Sequence, residues 1–398
     1  MFALRYVAAA PSPAQELRRE GLKELTAGLA KSVRKAATQL QQPAVRIGYF
    51  TPFGSDLGNA GGAFMVELEL ALQGAVNPDA VLELYGSYGL VEQPEGGGVR
   101  VIVVEAKLRR TKTGRDEKEF APFEGVVRSN TDIARLAGAT VAFKPDAEYK
   151  DPTRGRNTDI QDGLPQKPPG GGPALPPKVQ AFVDGPLVRT SKDSPYAVEV
   201  RKKAVGAPGD ARPVPAELRD GLAFVPIDRG EEYEVRVVNH APHEIAVSLS
   251  IDGIDQFAFS EDRTPEVDDA GKPVIGTDGK PVRRPKFSHW VVGPATVGKP
   301  GEVLILGWHK TADPTRKDNV MSFLVTEYGK GAASRFPTRT QGKVGLMTVG
   351  IARSFKDGEP RPRSASETGF GPDREQKQEV VKRHIDAPHE FVTIRYTR

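Results

Sequence analysis

The sequence predicts an α+β amino-terminal domain, a mixed sheet with packed helices, followed by an antiparallel β-sandwich domain. Three observations predict it. A long helical periodicity opens the chain, and the order strand, helix, strand, strand, strand, helix follows it. Beyond a Pro- and Gly-rich stretch, short alternating segments recur between Gly, Pro and Asp turns. The expected division is 1–143 for the α+β domain, 144–178 for a linker and 179–398 for the β-sandwich domain, which carries a polar hairpin insertion at 261–286.

The bulk properties narrow the function classes. A chain of 398 residues exceeds one ordinary core, so two domains are expected. Its 56 basic and 52 acidic residues leave a net charge of +4, a mixed surface without the basic footprint of a nucleic-acid binder. With no cysteine, thiol catalysis, disulfides and thiolate metal sites are excluded. No apolar run reaches the roughly 18 residues of a membrane-spanning helix. Residues 1–11 leave two readings open: the remnant of an export signal, with Ala8 to Ala10 near its cleavage site, or a short arm that adds to a neighbour's sheet edge.

Within 13–41, Leu17, Leu22, Leu25, Leu29, Val33, Ala36 and Leu40 recur at three and four, with one step of five. Arg18, Arg19, Lys23, Lys31, Arg34 and Lys35 fill the other positions, and Ser12 before Pro13 is a plausible cap. Without aromatic anchors the leucine stripe is read as docking on its own domain rather than on a membrane. Pro43 ends the helix, 45–50 reads as a strand, and a glycine-rich loop spans 54–62. Segment 63–72 fits both periods; its Ala, Leu, Met and Glu content decides for helix. Strands are expected at 81–91, 99–108 and 120–127, then a helix at 132–137, capped by Ser129, Asn130 or Thr131 and stopped by Gly138.

Here a resemblance enters. The strand ending at Pro52-Phe53, the small-residue loop and the Phe64 to Leu72 segment resemble the opening of the curli-secretion lipoprotein and TolB amino-terminal domains. The hairpin from Glu83 to Arg115, ending in Lys112-Thr113-Gly114, is similar to their strand pair. The resemblance covers about a quarter of the chain and implies an envelope location and assembly into larger structures, with no catalytic residues. The lipid-bearing cysteine of the curli group is missing.

Segment 144–178, with Pro165 to Pro173 at its centre, reads as a connector rather than a proline-recognition site, since no regular PxxP array occurs. Strands are then expected at 179–183, 196–201, 222–227, 233–239, 244–251, 256–259, 288–292, 303–308, 322–328, 344–353 and 391–396, with a helix at 375–384. Residues 221–355 resemble a group of uncharacterised bacterial envelope β-sandwich proteins, in which a hairpin with Asp-Gly and an aromatic residue precedes a Gly-Trp strand. The insertion holds a near-repeat, Asp269 to Val274 and Thr277 to Val282, read as successive turns of a protruding hairpin.

Candidate chemistry is sparse. His240, His243 and Glu244 lie close in sequence, and two imidazoles with a carboxylate suit zinc. Pro242 excludes the helical His-Glu-x-x-His arrangement, and a second Ala-Pro-His-Glu at 387–390 favours a role at the start of strands. Asp252, Asp255, Glu261, Asp262, Glu266, Asp268 and Asp269 offer oxygens for calcium, but their spacing fits no EF-hand loop. Tyr85-Gly86-Ser87-Tyr88-Gly89 lacks the first glycine of a nucleophile elbow. The 54–62 loop meets no nucleotide-binding pattern, and Trp290 and Trp308 read as packing. The expectation is a non-catalytic extracytoplasmic structural protein that self-associates into a cell-surface or extracellular polymer, without a cofactor. A glycan- or calcium-binding module is the first alternative and a metal-dependent hydrolase the second.

Overall fold

The structure is a computed structural model; it describes residues 21–54, 60–93, 98–166, 175–267, 271–276, 279–313, 315–327, 331–332, 345–356, 380–381 and 383–396. The fold is mixed α/β, with four α-helices and several sheets among the described residues. The first half runs α1 (Leu22–Gln39), β1 (Arg46–Gly54), α2 (Ala60–Ala71), β2 (Leu82–Glu92), β3 (Arg100–Arg110), β4 (Phe123–Val127), α3 (Asn130–Ala137), β5 (Val141–Ala142) and α4 (Pro152–Asp162).

The leucine stripe buries as expected: Leu22, Leu25, Leu29, Val33 and Ala36 of α1 join one apolar core with Phe64 and Leu68 of α2. Residues 13–20 of the expected helix lie outside the described residues. The Leu22 amide donates to Asp132 Oδ2 at 2.9 Å, so a carboxylate on α3 satisfies the start of α1. Segment 63–72 is helical, and α2 carries the chain from β1 to its parallel neighbour β2. The sheet order is β1-β2-β3-β4, antiparallel after the first pair. A Cβ on Gly86 would stand 1.9 Å from Glu105 O on β3, so glycine alone permits that backbone approach. Ser129 Oγ accepts from Asp132 N, and Gly138 stops α3 at φ 66°.

The second half begins with β6 (Phe182–Asp184), β7 (Leu187–Arg189), β8 (Tyr196–Ala204), β9 (Arg212–Pro213), β10 (Glu217–Arg219), β11 (Leu222–Phe224), β12 (Glu231–Asn239), β13 (Ile245–Ile251) and β14 (Ile254–Asp255). It continues with β15 (Arg263–Pro265), β16 (Arg283–Pro285), β17 (Trp290–Val292), β18 (Gly301–Ile305), β19 (Gly307–His309), β20 (Val320–Leu324), β21 (Leu346–Phe355), β22 (His384–Ile385) and β23 (Glu390–Arg395). One sheet follows β10-β11-β23-β21-β13-β14 and the other β19-β20-β12-β8-β7-β6. They share a second apolar core. Val247, Leu249, Val349, Ile351 and Val392 come from the first sheet, and Val198, Val200, Val235, Val237 and Phe323 from the second. The pairing is antiparallel throughout this half except that β11 runs parallel to β23.

The two halves interlock. β5 pairs with β23, Phe391 of β23 joins the first core, and Val66 of α2 joins the second. Several expectations are corrected. The 144–178 connector contains α4, whose start is capped by Asp151 with Pro152 in the first turn. The segment 256–259 is a turn, not a strand, because the Asp255 carboxylate takes the Phe257 amide at 2.8 Å and folds the chain back. Of the expected 375–384 helix, His384 lies in β22 and residues 375–379 fall outside the described residues. The insertion does pair as a hairpin through β15 and β16, but it does not simply protrude. Val274 N bonds to Glu266 O, Val282 N to Val274 O and Glu266 N to Val282 O, closing a ring of three backbone bonds. Arg284 then ties the insertion to Glu67 on α2 at 2.6 Å, and the Arg283 amide donates to Gln73 Oε1 at 3.0 Å.

Candidate functional site

The two Ala-Pro-His-Glu tetrapeptides each deliver the chain into a strand, the first into β13 and the second into β23. β21 lies between those strands and pairs antiparallel with both, which places His243 and His389 at one end of the sheet on either side of β21. Tyr196, the first residue of β8 in the other sheet, stands between them. Its Oη is 3.0 Å from His243 Nε2, and its ring meets His243 at 6.4 Å and His389 at 5.6 Å, both edge to face. Asn239 holds the loop before His243: Nδ2 donates to His243 O and Gly293 O, while Oδ1 accepts from Ala241 N.

Both adjoining carboxylates are engaged elsewhere. Glu244 accepts from Arg383 Nε at 2.6 Å and Ser354 Oγ at 2.7 Å. Burial pushes its acidity the other way, but those bonds outweigh it and hold the group below the usual range. Glu390 is buried and accepts from Thr190 Oγ1 at 2.5 Å and Ser194 Oγ at 2.8 Å; burial raises it despite them. Burial and then the Arg353 charge lower His243. The same burial, with Arg353, His243 and Arg156, brings His389 down to about 4. Tyr196 is pushed up to about 12, chiefly by burial. Near neutral pH this end of the molecule therefore presents two uncharged imidazoles and a protonated phenol, with the charges of Glu390 and Arg353 both bearing on the phenol.

The candidate zinc ligands are not brought together. His240 is exposed, the His243 ring turns to Tyr196, and the Glu244 carboxylate is taken by Arg383. Among the described residues no group of three His, Asp or Glu converges on a point that could hold a metal ion. The acidic run is likewise dispersed. Asp252 takes the Gly345 amide and the Tyr396 hydroxyl, Glu261 pairs with Arg316, Asp262 takes the Ala312 amide, and Glu266 pairs with Arg284. Asp268 and Asp269 lie outside the described residues. Ser87 is in the middle of β2, 3.3 Å from Glu105 Oε2. Of the 54–62 loop, 55–59 lie outside the described residues, and Gly61 in the first turn of α2 donates its amide to the Tyr88 hydroxyl. Trp308 packs between Phe259 and Phe323, and Trp290 against Phe257 and His309, as the packing reading expects.

A second polar cluster lies where α2 and α3 meet β14 and the insertion. Arg284 is 8% exposed and bridges Glu67 and Glu266, while Arg135 pairs with Asp132 at 2.9 Å. Burial raises Asp255 to about 7, partly relieved by the Phe257 amide and Arg135. Burial and Arg135 lower His289 to about 4. This is a folding contact between the two halves, in which Arg284 and Arg135 are each paired with a carboxylate. Sequence reading missed Tyr196, His389, Glu390 and Arg353; the repeated tetrapeptide is the signal that points to two of them. No protein-family model, no curated protein and no solved structure matches the chain.

Proposed function

We propose that this protein is a non-catalytic, extracytoplasmic structural protein that assembles with copies of itself, and that its two large sheets form a β-sandwich whose open edge makes the contact. The observation that carries this reading is β10. It ends the nine-stranded sheet, all three of its residues are exposed, and no strand pairs with its outer edge among the described residues. Its sequence, Glu217-Leu218-Arg219, is self-complementary. An antiparallel pairing of two copies about Leu218 sets Glu217 of each against Arg219 of the other and Leu218 against Leu218. Leu218 is 46% exposed, and Leu175 and Val179, exposed at 53% and 48%, flank Pro176 and Pro177, against which Gly221 packs. Apolar surface at an unpaired strand edge favours association. The extracytoplasmic placement rests on the resemblance of the first domain alone.

A charge exchange tests the reading. In sedimentation velocity, Glu217→Arg or Arg219→Glu alone sets like charges opposite each other and shifts the distribution toward monomer. Both changes together restore the pairing and the larger species. A wild-type protein that stays monomeric at every concentration overturns the proposal.

A further inference from the structure

At the end of β21, Met347, Val349 and Ile351 point into the second core, so by strand alternation Arg353 lies on that same face, where the core stops. It pairs with Ile245, two residues after His243, and its guanidinium makes no hydrogen bond or ion pair among the described residues. Its charge bears on His243, His389 and Tyr196 alike, and Arg156 of α4 adds to the field at His389. The nearby carboxylates bond to other groups: Glu244 to Arg383 and Ser354, and Glu390 to the hydroxyls of Thr190 and Ser194. Arg156 is itself paired with Asp146 at 2.6 Å. Exposed Arg353 thus stands beside two half-buried imidazoles and a phenol, without an ion pair among the described residues.

We propose that this end of the molecule binds an oxyanion, a carboxylate or a phosphoryl or sulfuryl group of a ligand, with Arg353 as its principal contact and the His389 ring as a second donor. The guanidinium fork matches two oxygens of such a group, which a lone ammonium does not. The imidazoles supply directional donors at the edge of a partly desolvated surface, where a hydrogen bond to an anion is stronger than in water. This site is separate from the β10 edge, so its fate is independent of self-association.

The test uses the full chain and two probes, sulfate for the tetrahedral class and D-glucuronate for the carboxylate class. Each is titrated by calorimetry near neutral pH at constant ionic strength. The expected result is saturable binding of one or both probes, weakened at least about tenfold by Arg353→Gln and less by His389→Gln. Thermal unfolding checks that both variants remain folded. A response to one probe assigns the class of anion. No saturable heat with either probe, or equal binding by a folded Arg353→Gln variant, overturns the proposal.

Discussion

Tyr196 Oη and His243 Nε2 lie 3.0 Å apart, and that bond joins the first residue of β8 in one sheet to the loop that starts β13 in the other. Since Tyr196 is 3% exposed, its hydroxyl has little water to turn to when the partner is lost. Tyr196→Phe is expected to cost about 1 kcal/mol in urea denaturation. Tyr196→Ala, which also empties the space between two imidazoles, is expected to cost about 3 kcal/mol or more. Equal stability of wild type and Tyr196→Phe would show that the bond contributes nothing.

Acid is expected to weaken the fold through the histidines. His389 and His289 are held at about 4, below the 6.5 of a free imidazole, so the unfolded chain takes up protons first as pH falls. Their contribution is complete above about pH 6.5 and is lost progressively toward pH 4. A His389→Gln variant should show a shallower decline in melting temperature over that interval than the wild type.

Glu69 works in the opposite direction. Burial raises its carboxyl to about 7, and its Oε2 is without a hydrogen-bond partner among the described residues. Ionisation therefore destabilises the fold as pH climbs from the unfolded value through about 7. Glu69→Gln is expected to raise the melting temperature near pH 8 and leave it unchanged near pH 4. A loss of stability at both pH values would refute this assignment.

Arg284 holds two carboxylates on separate elements, Glu67 of α2 and Glu266 of the insertion. Arg284→Ala leaves both uncompensated and is expected to cost about 3 kcal/mol. Adding Glu67→Gln and Glu266→Gln should recover part of that loss. Limited proteolysis should also cut the insertion faster in the single variant, and an unchanged cleavage rate would count against the docking role.

Gly86→Ala is expected to break the β2–β3 ladder, because the new Cβ would sit 1.9 Å from the Glu105 carbonyl oxygen. Hydrogen exchange of the amides along β3 should speed up in this variant; native protection there would show that the sheet relaxes around the methyl group.

Much of this fold was legible because it follows from periods along the chain. The α1 stripe, the strand expected over 233–239, and the Ser129 and Gly138 ends of α3 are local signals, and each appears where it was expected. Long-range relationships were not legible. Nothing near Val141 announces that it pairs with Phe391, and nothing near Arg284 announces Glu67. The 256–259 segment failed because aromatic residues read as strand while a single carboxylate, Asp255, decided the turn. The candidate site was half legible. His243 and His389 belong to a repeated tetrapeptide, yet only the folded sheet shows that both copies reach the same tyrosine.

The assembly claim is tested most directly by a single thiol. The native chain has no cysteine, so Leu218→Cys places the sole thiol at the centre of the β10 edge. In an antiparallel pairing about residue 218, the two Cα atoms come within the roughly 4.4–6.8 Å that a disulfide spans. Mild oxidation is expected to convert the variant into a covalent dimer, while Val297→Cys, at an exposed turn away from that edge, stays monomeric. If Leu218→Cys forms no more dimer than Val297→Cys, the β10 edge is not where copies of this chain meet.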